Sequence, residues 1–345
     1  MSDSPWWLPD RHADRRPALL ARNRAQTAIR GFLAECDFVE VDPPGLVVSP
    51  GNEAHLHAFA TSRIGNDGVV HPMYLHTSPE FAMKKLLAAG EPRIFAFAHV
   101  WRNREAGPRH SPEFTMLEWY RAGEDYAVLM QDVVRMAQLA CTAAGSAELR
   151  FGERSCDPFA PFERLSVADA FGLHAGIDLL ATLGSDGAAD GAALAETAAQ
   201  AGIRSAAGDT WSDVFSRVLV ERIEPNLGDG RLTILDRYPA VEAALARACA
   251  DDSREAERFE VYACGVELAN GFGELTDPVE QRRRFEIEMD EKHRVYGERY
   301  PLDEDFLDAL AIMPDASGIA LGFDRLVMLA NAAPRIEDVM WAPLC

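Results

Sequence analysis

The amino-acid sequence predicts an α+β fold in which an antiparallel pair of strands lies among helices. Three observations support this prediction. Apolar residues recur at helical spacing near the amino terminus, and two β-prone runs enclose a short basic loop, as in a hairpin. Strand patterns return near the carboxyl terminus, where the last of them enters a helical pattern.

The elements of the first half follow in order. Helical spacing predicts a helix from about Arg15 to Glu35, which leads into the strand FVEVDPPGLVV, broken by Pro43-Pro44. The stretch HPMYLHTSPEFAMKKLLAAG predicts a short strand and a helix that starts at Thr77-Ser78-Pro79-Glu80 and ends at Gly90. RIFAFAHVWR and PEFTMLEWYR predict the hairpin, and YAVLMQDVVRMAQLACTAAG predicts a further helix.

The second half begins with a change of composition. Ala, Gly and Asp dominate residues from about 146 to 250 and strand signals are few, so we interpret this segment as a mostly helical insertion in a single domain, residues 1–345. Strand patterns return in RFEVYACGVELANGFGEL, and DPVEQRRRFEIEMDEKHRVYGE predicts a charged helix. SGIALGFDRLVMLANA predicts a strand entering a helix.

Bulk composition bounds the class of protein. The net charge of −21 weakens any long-range attraction to nucleic acid. No apolar run reaches the roughly 20 residues that span a bilayer, and the amino terminus is not a basic segment leading into an apolar one. The six scattered cysteines are expected to be free thiols. We therefore expect a cytoplasmic protein without membrane association.

The strand PEFTMLEWY raises the question of a buried carboxylate. Alternation places Phe114, Met116, Glu118 and Tyr120 on one face of this strand. An ionised carboxylate there is costly unless it meets a cation or hydrogen-bond donors. Glu118 therefore needs either an internal Arg or Lys or a cationic ligand.

Further carboxylates and glycines lie in two other segments. Strict alternation in GVELANGFGELTD places Glu267 on one face with the glycines, and Asn270 and Glu274 on the other; glycines let a ligand or another backbone come close. With Glu80 at a helix start and Glu118 on its strand, these carboxylates are the supply expected for an ammonium substrate and a divalent metal.

Arg325 stands in the first turn of the last predicted helix, where the helix dipole disfavours a cation. Either a bound phosphate or a salt bridge with a neighbouring carboxylate would compensate. The sequence has neither G-x-x-x-x-G-K-[ST] nor G-x-G-x-x-G, so a nucleotide would be held by arginines on the antiparallel sheet.

Several segments resemble the signature motifs of class II aminoacyl-tRNA synthetases of the lysyl type. VWRNREAGPRHSPEFTMLEWY, GVELANGFGELTD and GIALGFDRLVML resemble the second and third motifs, and FLAECDFVEVDPPGL resembles the first, which is used for dimerisation. The likeness covers roughly residues 15–135 and 255–340. It implies a class II synthetase-like antiparallel β-sheet flanked by helices, and a homodimer through the region from Ile29 to Leu46.

Two departures narrow the resemblance. The first motif begins at Phe32, which leaves no room for the N-terminal OB-fold of bacterial lysyl-tRNA synthetases, and Ala320 replaces a glycine of the amino-acid pocket. Both features are similar to the truncated paralogues that ligate (R)-β-lysine to a lysine of translation elongation factor P. The resemblance implies a ligase that uses ATP and Mg²⁺ to activate (R)-β-lysine or lysine as an adenylate, without stable tRNA binding.

The resemblance also implies residue roles. Arg102 would contact the substrate carboxylate and the α-phosphate, Phe114 would stack on adenine, Arg325 would hold the γ-phosphate, and Glu267 would bind Mg²⁺ with the phosphates. The residues expected around the amino acid are Ser78, Glu80, Glu118, Tyr120, Asn270, Glu274 and Ala320. The other residues expected at the ATP site are Asn103, Arg104, Glu105, Ser111, Leu268 and Gly322.

Within the amino-acid set, Glu80, Tyr120 and Glu274 would surround the ε-ammonium, and Ser78 and Glu118 would face the other amino group. At the ATP site the motif glutamate is replaced by Arg104 and followed by Glu105, so either Glu105 reaches the adenine or that contact is absent. Two other functions stay open: activation of α-lysine for tRNA or another acceptor, and a non-catalytic regulatory synthetase paralogue.

Overall fold

The computed structural model describes residues 5–185 and 187–344. The helices of these residues are α1 Pro9–Glu35, α2 Glu80–Ala88, α3 Ala127–Ala144, α4 Val167–Ala175, α5 Gly191–Gln200, α6 Trp211–Val218, α7 Pro278–Tyr296, α8 Glu304–Leu310 and α9 Phe323–Ala330. The strands are β1 Val39–Glu40, β2 Leu46–Val47, β3 Phe59–Ile64, β4 Val70–Leu75, β5 Arg93–Trp101, β6 Glu113–Ala122, β7 Leu149–Phe151, β8 Arg154–Asp157, β9 Glu163–Ser166, β10 Gly230–Arg231, β11 Thr233–Pro239, β12 Glu255–Ala263, β13 Val266–Gly273 and β14 Ala316–Gly322.

A large sheet forms the centre of the molecule. Its strand order is β1-β5-β6-β14-β13-β12-β11-β9. The pairs from β5 to β11 are antiparallel, whereas β1 and β9 add to the two ends in parallel. The predicted α+β fold and the predicted hairpin of β5 and β6 are therefore confirmed.

Helices cover the sheet on both faces. On one face α1, α3 and α9 bury an apolar core that includes Leu33, Trp119 and Phe323. The inward face of β6 supplies Leu117 and Trp119 to this core, as the alternation of its side chains requires. A separate cluster containing Met83, Phe285 and Phe306 joins α2, α7 and α8. Between these layers, the opposite face of β6 carries Met116, Glu118 and Tyr120.

The segment from 146 to 250 contains more strand than the sequence analysis predicted. Helices α4, α5 and α6 share an apolar cluster around Phe171 and Phe215, in line with a helical character. Strands β9 and β11, however, belong to the large sheet, and β11 pairs with β12 over most of its length. The β11 sequence TILDRYP is rich in β-prone residues, but it lies in an alanine-rich segment, so the sequence analysis did not predict it as a strand. The treatment of the chain as one domain remains a prediction.

Two further predictions concern thiols and membranes. The cysteines at 36, 141, 156, 249 and 264 are free, as predicted, and Cys345 lies outside the described residues. No helix within the described ranges is both long enough and apolar enough to cross a bilayer.

Candidate active site

A cavity of about 940 Å³ opens on the face of the sheet opposite the α1–α3–α9 core. Its floor is formed by alternate residues of β6, β13 and β14, and its rim by the loop after β5 and one side of α7. Most of the predicted site residues line it. They are Ser78, Glu80, Arg102, Glu105, Ser111, Phe114, Glu118, Tyr120, Glu267, Leu268, Asn270, Ala320, Gly322 and Arg325.

Glu118 lies on the cavity floor with only 1% of its surface exposed. Ser78 Oγ donates a hydrogen bond of 2.5 Å to Glu118 Oε1, and the Tyr120 hydroxyl donates one of 3.0 Å to Oε2. Burial, with the nearby charge of Glu80, raises the pKa of Glu118 to about 8. No ion pair to Glu118 occurs in the described part of the chain. Of the two compensations expected for this carboxylate, a paired internal cation is therefore absent, and the charge of Arg102 only partly opposes the rise in the pKa of Glu118.

Lys84 provides an internal cation for two other predicted carboxylates, Glu80, which lines the cavity, and Glu274, which is buried and does not line it. Its ammonium nitrogen lies 2.5 Å from Glu80 Oε1 and 2.6 Å from Glu274 Oε2. Burial alone would lower the pKa of Lys84, but Glu274 and Glu80 outweigh it, so the pKa is raised. Glu274, also fully buried, keeps a pKa raised by burial to about 7 despite the attraction of Lys84.

Sequence reasoning missed Lys84, although its spacing of four residues from Glu80 in a predicted helix is a signal for such a pair. The cluster also depends on a glycine. A Cβ atom at Gly318 would overlap a carboxylate oxygen of Glu274 and the ring of Tyr120. This glycine thus makes room for the carboxylate rather than for a ligand.

A β-bulge determines which side chains of β13 face the cavity. Glu267 pairs with Tyr262 and Ala269 pairs with Val261, so Leu268 is an extra residue between them. The bulge returns Glu267 to the same side as Asn270, and both line the cavity. The expectation that Glu267 lies on the opposite face from Asn270 is wrong, because strict alternation assumes an uninterrupted ladder.

The cationic side chains lie farther along the cavity. The guanidinium carbon of Arg102 is 5.6 Å from the ring centre of Phe114, and Arg102 Nε donates to the carbonyl oxygen of Thr77 at 3.2 Å. Arg325, in the first turn of α9, donates from Nη1 to the carbonyl oxygen of Glu267 at 3.0 Å. Its Nη1 is also 3.6 Å from Glu267 Oε2, so the salt bridge offered as one of the two compensations for Arg325 is present.

Two predicted ATP-site residues, Asn103 and Arg104, do not line the cavity. Arg104 has a φ of 66° and turns outward, where its Nη2 lies 2.6 Å from Glu298 Oε1. Asn103 forms a bridge to His57, and its side chain accepts the amide hydrogen of Arg104. The next residue, Glu105, does face the cavity. The structure thus brings Glu105, and not Arg104, to the cavity.

Three residues that line the cavity were not singled out from the sequence: Glu53, Arg258 and Glu260. Arg258 lies on the floor, with its guanidinium 2.6 Å from Glu260 and 3.2 Å from the side-chain oxygen of Asn270. Tyr262 also donates to Glu260, at 2.6 Å. Glu53 lines the wall, and burial raises its pKa to about 7. These residues precede the recognisable motifs or alternate within an ordinary strand, and no local pattern marks them.

The carboxylates do not by themselves build a metal site. Among the described residues there is no group of three or more His, Cys, Asp or Glu side chains placed to hold a metal ion. Glu267 and Glu260 both face the cavity from neighbouring strands. Mg²⁺ usually takes one or two protein carboxylates together with phosphate oxygens and water, so this donor set fits a cation that enters with a nucleotide.

Comparison with known proteins places this geometry in a family. Residues 6–344 match the family model described as tRNA synthetases class II (D, K and N). The chain is 40% identical to a protein of Salmonella arizonae and 39% identical to one of Sodalis glossinidius, in each case over 99% of this chain and 98% of the relative. Both relatives are named elongation factor P–(R)-β-lysine ligase. The chain therefore belongs to the class II tRNA synthetase family of the D, K and N type.

Proposed function

We propose that this protein activates (R)-β-lysine with ATP and transfers it to a lysine side chain of translation elongation factor P. The names of its relatives support both substrates, and its family supports the use of ATP. The observation that carries the proposal is the buried Glu118, which has hydrogen-bond donors but no cation of its own. A substrate ammonium would supply that cation.

The amino acid would lie with its amino groups over the carboxylate end of the cavity. Glu118 and Ser78 would receive one amino group, and Tyr120, Glu80 and Glu274 would surround the ε-ammonium. Asn270 would orient the carboxylate, and the methyl group of Ala320 would shape the floor between its strand neighbours. Ala320 pairs with Glu118 on one side and with Asn270 on the other. Its methyl group would therefore lie between the residue that receives the second amino group and the residue that orients the carboxylate.

The nucleotide would occupy the cationic end. Phe114 would stack on the adenine, with Glu105 at its edge, and Arg102 and Arg325 would hold the α- and γ-phosphates. Ser111, Leu268 and Gly322 would complete the walls, since all three line the cavity. Asn103 and Arg104 were also predicted for this site, but their outward contacts favour a role in holding the loop.

The reaction would proceed in two steps without a side-chain nucleophile. The substrate carboxylate attacks the α-phosphorus, which forms the acyl–phosphate bond and releases pyrophosphate. The unprotonated ε-amine of the acceptor lysine then attacks the acyl carbon, forms the amide and releases AMP. Arg102 would stabilise the negative charge that gathers on the α-phosphate oxygens in the first step.

Mg²⁺ would be held by Glu267, with Glu260 close by and phosphate oxygens completing its shell. When bound, it would neutralise phosphate charge. The preorganised contacts of Arg258 and Tyr262 to Glu260 leave Glu267 as the freer ligand, since its side chain is 40% exposed.

We also propose that the protein is a homodimer. Exposed apolar side chains occur on the strands that follow α1, where Leu46 is 41%, Ile64 68% and Val70 60% exposed, and Ile64 pairs with Val70. Apolar side chains exposed side by side support a protein interface at this pair. Ile29 was predicted to belong to this interface, but it is fully buried within the protomer. The homodimer, the lack of stable tRNA binding and the cytoplasmic location remain predictions.

ATP–pyrophosphate exchange with (R)-β-lysine and with α-lysine tests the proposal. A preference for the β isomer, followed by a mass increase of elongation factor P equal to one β-lysyl group, would support it. A preference for α-lysine together with charging of tRNA would contradict it. Absence of exchange with either isomer would favour a regulatory paralogue.

The role of Arg102 can be tested with a matched arginine. Replacing Arg102 by Ala should slow exchange by raising the activation barrier by about 2–4 kcal/mol, the scale of one preorganised charge contact. Arg104→Ala is the control. It removes a guanidinium from the same loop, but this guanidinium is paired with Glu298 outside the cavity. Equal losses of exchange in the two variants would contradict the assignment.

A further inference from the structure

The strongest unassigned feature beside the cavity is a buried lysine paired with two of the carboxylates proposed to receive the substrate. Lys84 is completely inaccessible, and its ammonium group bridges Glu80 and Glu274. We propose that Lys84 is a specificity-determining positioning residue that fixes the number of free negative charges in the amino-acid pocket at two. This inference rests on the proposed function, because it concerns the recognition of the same diamino acid.

The charges of the pocket support this count. Glu80, Glu118 and Glu274 supply three carboxylates, and Lys84 supplies one internal ammonium. When all three carboxylates are ionised, two negative charges are left to be matched from outside. Lysine and β-lysine each carry two ammonium groups, whereas a monoamino acid carries one. A monoamino acid would leave one buried carboxylate without a cation, which is costly in a site of low polarity.

The geometry indicates that Lys84 positions the carboxylates and does not occupy the substrate's own place. Its ammonium approaches Glu80 from one turn later on α2, and it approaches Glu274 from the side of α2 that faces the sheet. Glu118 lies outside this bridge and instead accepts hydrogen bonds from Ser78 and Tyr120. Lys84 thus fixes two carboxylates in place and leaves the third to the ligand.

Other charged groups near the bridge do not replace Lys84. Arg247 is close enough to lower the pKa of Glu274, but its own guanidinium is paired with Glu257 at 2.6 Å. The hydroxyl of Tyr120 donates to Glu118. Without Lys84, Glu80 and Glu274 would be left as neighbouring buried carboxylates, and one of them would be expected to take up a proton.

A neighbouring residue provides a matched control. Lys85 follows Lys84 on α2 and also bridges two carboxylates, with its ammonium 2.9 Å from Asp303 and 2.7 Å from Asp305. It lies away from the cavity, and its side chain is 29% exposed. Lys85→Met therefore removes an ion-paired lysine from the same helix without changing the charge of the pocket.

The test is a double-mutant cycle read by calorimetric binding of lysine and of (R)-β-lysine to the full chain. Lys84→Met should raise the Kd of both ligands at least tenfold and should increase the protons released on binding by up to one. The Glu80→Gln variant keeps Lys84 and has only one free negative charge in the pocket. In this background Lys84→Met restores the count of two, so it should not raise Kd. Lys85→Met should leave Kd and proton release unchanged.

The outcomes separate the inference from the function on which it rests. An equal effect of Lys84→Met in both backgrounds, or a Kd unchanged by Lys84→Met, overturns the role of Lys84 alone. If Lys84→Met does not fold, Lys84→Met/Glu80→Gln decides, since a Kd far above that of Glu80→Gln overturns it. If the wild type binds lysine but shows no pyrophosphate exchange, the proposed function is contradicted, while the double-mutant cycle still tests the role of Lys84. No lysine binding by the wild type overturns both.

Discussion

Replacement of Glu118 by Gln should stabilise the protein at alkaline pH while weakening its activity. Glu118 is buried, and its pKa is raised from 4.5 to about 8. The folded state therefore binds more protons than the unfolded state between these values. Stability from this group is fully present below pH 4.5 and is lost as the pH rises through about 8. Gln cannot ionise, so the variant escapes this loss.

The size of the effect follows from the shift. The difference between the two pKa values corresponds to at most about 5 kcal/mol at high pH. Between pH 6 and pH 9 the wild type should lose about 3 kcal/mol relative to Glu118→Gln. Any constant cost of the amide, which cannot accept both hydrogen bonds from Ser78 and Tyr120, cancels in this comparison of two pH values. With an unfolding entropy of about 2 cal/mol/K per residue, the change corresponds to about 4 °C in Tm.

The assay is thermal unfolding of both proteins at pH 6 and pH 9, with and without lysine. Glu113→Gln is the control, because Glu113 begins the same strand but is 35% exposed and lies beside His99. Activity should fall in Glu118→Gln, because loss of a charged hydrogen bond should raise KM for the amino acid about 100-fold. A Tm difference between Glu118→Gln and wild type that is the same at both pH values would refute the reasoning.

Three further predictions concern the pocket floor, the core and the nucleotide. Ala320→Gly should shift exchange toward α-lysine by about tenfold, the scale of one methyl group in a pocket; an unchanged ratio would contradict the role of Ala320. Arg22→Met should cost about 3–5 kcal/mol in urea unfolding, since it leaves the buried Asp324, 2.6 Å from Arg22, without a cation. Glu105→Ala should raise KM for ATP several-fold more than Arg104→Ala. A larger increase in KM for Arg104→Ala would contradict the assignment of the adenine contact to Glu105.

Much of the fold was predictable because local patterns agree with it. The alternation in β6 separates Leu117 and Trp119 in the core from Glu118 in the cavity, as expected from a period of two. The helix starting at Glu80 and the strand leading into Arg325 also lie where their start signals predict them. In these segments the order of apolar and polar residues alone predicts which face is buried.

The rest depends on tertiary contacts that a local pattern does not contain. The bulge at Leu268 adds one residue to β13, and no glycine or proline marks it in the sequence. Strand β11 carries β-prone residues, but its place in the sheet is decided by pairing with β9 and β12. The outward turn of Arg104 depends on Glu298, which is far away in the chain. Such pairings can be read only once the chain is folded.

The charge of the pocket connects these two kinds of information. The sequence supplies Glu80, Glu118 and Glu274 and suggests a cationic ligand. The spacing along α2 marks the pair of Lys84 with Glu80, but only folding brings Lys84 to Glu274. Burial of Glu118 raises its pKa and costs stability, which a core residue without a function would not be expected to do. A paired cation would remove that cost, and Lys84 serves the other two carboxylates instead. The unpaired carboxylate is thus better explained as a receptor for a ligand's ammonium group than as a structural residue.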